Sequence, residues 1–168
     1  MRTIAAWLCF SVFGSLLFVS HARAASLPKA DHVVVIKHER KLTLIHAGAV
    51  LKTYSVALGA VPVGAKERQG DHRTPEGLYV LDSRNDHSQF YKAIHISYPN
   101  AEDRKRAARL GVSPGGDLFI HGLPKVYGFV GAAHRLHDWT DGCIALTNTE
   151  MDEIWSLVPN GTPIEIKP

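Results

Sequence analysis

Residues 32–37 (HVVVIK) and 41–46 (KLTLIH) are separated by only three polar residues, His38, Glu39 and Arg40. β-Branched and aliphatic side chains fit a pleated surface, so two such runs on so short a link predict a β-hairpin. Ala47-Gly48 turns the chain again, and residues 49–58 predict a third strand. The chain therefore starts as a β-meander. Further strands are predicted at 78–81, at 90–97 (FYKAIHIS), at 117–120 and at 163–167 (PIEIK).

Two helices interrupt this pattern. Asn100 is placed to cap a helix over 101–110, with Glu102 and Asp103 in its first turn and Gly111 as its stop; its thin apolar content puts it on the surface. Thr147-Asn148-Thr149-Glu150 fits a capping box, and Met151, Ile154, Trp155 and Val158 recur at helical spacing, so this second helix packs on the core. The fold class is mainly β with few helices. Residues 59–74 (GAVPVGAKERQGDHRT) read as a surface loop, long enough to suggest a functional role.

At the N-terminus, Arg2 precedes an apolar run over 4–19, and Ala22-Arg23-Ala24 follows it with small residues at the cleavage spacing. This pattern is that of a secretory signal peptide, and the run is shorter than the roughly 20 residues a membrane span requires. The expectation is export to the periplasm or cell envelope, with residues 1–24 removed, 25–168 forming one domain, and no stable membrane span after processing. Removal takes away Arg2 and Arg23 and no acidic residue, so the formal charge falls from +3 to +1. A nearly neutral chain offers no electrostatic basis for nucleic-acid binding.

Cys9 leaves with the signal peptide, and Cys143 remains as the sole thiol. Structural cysteines in oxidising compartments come in pairs, which makes an odd one a candidate nucleophile. On pattern alone, an inert buried cysteine followed by Ile144 and Leu146 fits about as well. A nucleophile also needs a base and donors for an oxyanion; Gly142 and Cys143 can offer backbone N–H groups. No histidine follows Cys143, so the base must lie upstream. Of the upstream histidines, His121 follows Leu118-Phe119-Ile120 and precedes Gly122, which sets a titratable ring at the rigid end of a buried strand. His134, His137 and Cys143 do not have the spacing of a zinc site, so neither a metal nor a cofactor is expected.

Ile120-His121-Gly122, a variable segment, and then Thr140-Asp141-Gly142-Cys143-Ile144 together resemble the signature of the L,D-transpeptidase catalytic domain family. Arg73-Thr74-Pro75-Glu76-Gly77-Leu78-Tyr79 is similar to an upstream segment of that family. The resemblance implies a β-sandwich or mixed sheet and an enzyme of cell-wall organisation acting on peptidoglycan stem peptides. It implies Cys143 as nucleophile and His121 as proton acceptor and donor. The Gly122 carbonyl would orient the ring, and Gly142 and Cys143 would line the oxyanion hole. The acyl group would pass to an amine of another stem or of a wall-attached protein; water as acceptor would make a hydrolase, and a silent wall-binding module is the non-enzymatic alternative.

The sequence departs from the family's pattern in three places. His121 and Cys143 are 22 positions apart, a longer interval than usual, so residues 125–138 are expected to loop out over the cleft. Ala145 stands where an arginine is common, which leaves Arg135 or Arg73 to bind a substrate carboxylate. Asp141 stands where a histidine or basic residue is common, and could favour a basic acceptor amine. Trp139 reads equally as cleft wall or core, and Tyr127 and Phe129 as lid or packing anchors.

Overall fold

β1 (His32–Ile36) and β2 (Lys41–His46) form the expected antiparallel hairpin, and β3 (Ala49–Ser55) continues the meander. The computed structural model describes residues 28–168, and the expected signal peptide at 1–24 lies outside them. Side chains alternate in β1 and β2, so that Val33, Val35, Leu42 and Leu44 all turn to one face and are fully buried. The last strand, β8 (Thr162–Lys167), adds Ile164 and Ile166 to that face.

Connectivity is less simple than the meander suggests. β8 inserts between β1, to which it runs parallel, and β4 (Gly77–Ser88), to which it runs antiparallel. β4 is longer than the predicted 78–81 because its first half pairs with β8 and its second half with β5 (Tyr91–Ile96). β6 (Leu118–His121) follows β5, and a two-residue strand, β7 (Ile144–Ala145), lies parallel to β6. The eight strands form one mixed sheet in the order β3-β2-β1-β8-β4-β5-β6-β7.

The two ends of this order meet. Beyond β3, Ala57 bridges to Ala145, with N–H···O distances of 3.0 and 2.9 Å in the two directions. The sheet thus curls until the continuation of its first edge covers its last. An exposed edge is removed, and the two-residue β7 is held from both sides.

α1 (Ala101–Arg109) is capped by Asn100 as expected, and α2 (Asn148–Leu157) by the Thr147–Glu150 box. α2 buries Met151, Ile154 and Leu157 in the core, with Val158 just beyond it, whereas Trp155 is only partly buried. Residues 125–136 were expected as loop and instead form a 3-10 helical segment (Lys125–Leu136), kinked at Gly131. No helix among the described residues is long and apolar enough to cross a membrane.

The 59–74 loop is fixed by buried polar groups. Lys37, 2% exposed, reaches from the end of β1 to the carbonyls of Gly64 and Thr74 and to Glu76 Oε1, at 2.6, 3.1 and 2.7 Å. Asp71 accepts from Lys66 Nζ and from the N–H groups of Glu67, Arg68 and Arg73. Burial would raise the Asp71 pKa, but those donors outweigh it and hold the carboxyl at about 2. Replacing the lysine leaves two carbonyls and a carboxylate without their buried cation. Lys37→Met is therefore expected to lower unfolding free energy by about 3 kcal/mol, the low end for breaking a buried pair because Glu76 keeps some access to water. A urea midpoint equal to the parent's would show that Lys37 does not hold the loop.

Candidate active site

The β6–β7 register is Ile120 with Ile144 and His121 with Ala145. One step back along both strands sets Cys143 beside Phe119, and alternation turns Phe119, His121 and Cys143 toward the same side. All three line one cleft of about 750 Å³, together with Phe90, Asp117, Trp139, Thr140 and Asp141. Residues 22 positions apart thus reach one pocket because two short parallel strands carry them there.

His121 is 4% exposed and its Nδ1 lies 2.7 Å from the Gly122 carbonyl oxygen. A carbonyl only accepts, so Nδ1 carries the hydrogen and the lone pair of the neutral ring is on Nε2. Burial pulls the His121 pKa below the ordinary histidine range, and the Gly122 bond only partly opposes it. The ring therefore rests as a neutral base at pH 7. Phe90 packs on it with a centroid distance of 4.7 Å, and Trp139 meets it edge-on at 5.9 Å.

The backbone around the ring is fixed as well. Gly122 N–H bonds the Lys92 carbonyl at 3.2 Å, Leu146 N–H bonds the His121 carbonyl at 2.9 Å, and Asn148 Oδ1 accepts from Leu123 N–H at 2.7 Å. A β-carbon at position 122 would lie 2.6 Å from that Asn148 oxygen, so glycine is what admits the Asn148 side chain.

Burial pushes the Cys143 thiol up from its usual range. The Phe119 backbone N–H and, at lower weight, Lys66 stabilise the thiolate, while Asp141 and Asp117 disfavour it. The free side chain is half-buried, with Sγ 4.0 Å from the Asp117 carbonyl oxygen. Gly142 makes the approach possible. It has φ +123°, and a β-carbon there would stand 2.5 Å from the Arg73 carbonyl oxygen.

Several expectations about the lining change. The Gly142 N–H is bonded to Thr140 Oγ1 at 3.1 Å, so it is not free to meet an oxyanion, and Thr140 Oγ1 in turn donates to the Cys143 carbonyl at 2.7 Å. Arg135 is paired with Glu150 in the first turn of α2 and does not line the cleft. Arg73 lines a separate cavity with Glu67 and Leu110. Both arginines were placed by their loops; the fold brings Glu150 to Arg135, while Glu67 lies 3.9 Å from Arg73 within the same loop. Asp141 does line the cleft, 2.6 Å from His72 Nδ1.

Trp139 is cleft wall rather than core. Residues 125–138 do not line the cleft; Tyr127 helps form a neighbouring apolar cavity of about 330 Å³ that shares only Trp139 with it, and Phe129 is 86% exposed. Phe90, expected within a strand, sits in the turn before β5, which frees it to cover His121. Asp117 was missed because it stands at φ +56° ahead of β6, with no motif to mark it. Thr140 was visible as part of the motif, though not its bonding.

Comparison with known proteins identifies the family of this fold. The family model YkuD, described as the L,D-transpeptidase catalytic domain, matches residues 30–166. YafK of Escherichia coli K12, itself named an L,D-transpeptidase only provisionally, is 34% identical over 135 residues, covering 76% of this chain and 46% of YafK. The chain spans about half the length of the curated relatives it matches. Among solved structures, a variant of the helical cell shape determining protein Pgp2 from Campylobacter jejuni is 25% identical with TM-score 0.64, over 84% of this chain and 48% of that one. An Enterococcus faecium L,D-transpeptidase shares the fold at 12% identity and TM-score 0.53, over 83% of this chain and 50% of that one.

The two pKa directions predict the resting state of the pair. A raised thiol and a lowered imidazole give a neutral SH and a neutral ring in the one cleft, not a thiolate and an imidazolium. The rate of iodoacetamide modification of Cys143 should therefore rise with an inflection above the ordinary cysteine range of about 8.5. A plateau already reached at neutral pH would mean a preformed ion pair.

Proposed function

The chain belongs to the L,D-transpeptidase catalytic domain family, and from that premise we propose that it is a cysteine acyltransferase acting on peptidoglycan stem peptides in the cell envelope. The observation that supports this most is the presence of His121 and Cys143 in one cleft, with the ring held so that Nε2 is the free nitrogen. The likeness to Pgp2, a helical cell shape determining protein, favours a role in wall remodelling that affects shape.

In this reading His121 Nε2 takes the thiol proton as Cys143 Sγ attacks the carbonyl carbon after the L-centre of the stem's diamino acid. The backbone N–H of Cys143 is the donor left to the oxyanion, since that of Gly142 is bonded to Thr140. As the tetrahedral intermediate collapses, the C–N bond breaks and the imidazolium returns its proton to the departing D-alanine amine. A thioester on Cys143 and a neutral ring remain. An amine acceptor then completes a cross-link or a protein attachment; water in its place gives a shortened stem.

The raised thiol pKa suits this order of events. A neutral thiol in an apolar wall survives unmodified until a carbonyl arrives, and the base removes its proton only as the new bond forms. Tetrapeptide muropeptides incubated with purified protein should yield a Cys143 acyl adduct by intact mass and dimers by chromatography. Cys143→Ala should abolish the adduct with the fold intact, and His121→Ala should slow acylation by about 10²–10⁴-fold at neutral pH. An active alanine variant at 143 removes the mechanism, and products limited to shortened monomers identify a hydrolase.

A further inference from the structure

Cys143 lines two cavities. Besides the 750 Å³ cleft, a second of about 330 Å³ opens on it, lined by Lys66, Gln69, His72, Asp117 and Asp141 among others. His121 lines only the larger cavity, while Asp117 and Asp141 line both. A transferase has to bring two substrates to one atom in succession, and a second opening beside the nucleophile provides an approach that the acyl group does not occupy.

The balance of fixed charge around Cys143 is negative. The two linings together contain two aspartates, a single lysine and no arginine. That lysine, Lys66, is 3% exposed and bound to Asp71 at 2.7 Å, so its charge is already matched. Asp141 differs: its side chain is 87% exposed, and its one ion-pair partner among the described residues is the half-exposed His72, on Oδ1. Oδ2 is thus the carboxylate oxygen open to a second cation, one residue from the glycine that precedes the nucleophile. Arg135 and Arg73, which would have favoured a carboxylate, stand elsewhere.

We infer that Asp141 is the specificity-determining residue for the acyl acceptor, and that it selects a protonated primary alkylamine. The inference rests on the acyl-enzyme reading given above. The acceptor arrives as an ammonium held by Asp141 and releases one proton to solvent. The free amine attacks the thioester carbon, forming the C–N bond. Its second proton passes to His121 Nε2, the C–S bond breaks, and the imidazolium protonates the leaving thiolate. The net products are an amide, the free thiol and one proton. Diamino-acid stems, free amino acids and lysine side chains share this chemistry.

Competition for one acyl-enzyme tests this without dependence on how fast that acyl-enzyme forms. Purified protein and a tetrapeptide muropeptide are mixed with an alkylamine and with methoxyamine, which is neutral at the assay pH. The product ratio is read by mass spectrometry, in separate arms for a diamino-acid stem, a free D-amino acid and a lysine peptide. The ratio of ammonium to neutral acceptor should fall about five-fold in Asp141→Asn, the scale of an exposed ion pair, and be retained in Asp141→Glu. The three arms show which amine source is preferred. An unchanged ratio in Asp141→Asn, or transfer to water alone, overturns the acceptor assignment while leaving the acyl-enzyme standing. Failure to form any adduct on Cys143 overturns the acyl-enzyme reading and this inference with it.

Discussion

The 2.7 Å bond from His121 Nδ1 to the Gly122 carbonyl decides which ring nitrogen is available, and the rest of the site is arranged to keep that bond in place. β5 holds Gly122 through Lys92, α2 holds Leu123 through Asn148, and β7 is pinned between β6 and the segment after β3. A side chain at position 122 would push Asn148 away. The curled sheet is therefore a device for precision: a two-residue strand positions Cys143 only because its backbone is bonded on both sides.

Electrostatics follows from the same burial. Removing the ring and the sulfur from water disfavours their charged forms, and the nearby aspartates oppose the thiolate further. Both groups rest neutral in this environment. Storing no ion pair leaves the lone thiol of the described residues un-ionised at rest, with Asp117 and Asp141 in the same lining.

Much of this was legible in the sequence. Strong alternation gave the β1–β2 hairpin and β8, and local capping chemistry at Asn100 and Thr147 gave both helices, because these signals are contained within a few residues. His121 and Cys143 were singled out from chemistry and from motif resemblance, and the fold brings both to one cleft. What local pattern did not reveal is non-local: the parallel pairing of β1 with β8, the closure of Ala57 on Ala145, and the existence of β7. The arginine expectations failed because side-chain reach is not written in loop position. Long side chains on loops take whichever carboxylate comes near, Glu150 across the fold for Arg135 and Glu67 of its own loop for Arg73. The 125–136 segment lacks an amphipathic stripe that buries anything, so no periodicity marked it as helical.

The ring's protonation is open to direct observation. Long-range ¹H–¹⁵N correlation NMR on uniformly labelled protein at pH 7, with His121 assigned by difference against a variant lacking it, should show a neutral imidazole with hydrogen on Nδ1 and a bare Nε2. A hydrogen on Nε2, or an imidazolium with both nitrogens protonated, would contradict the proposal that His121 is the base.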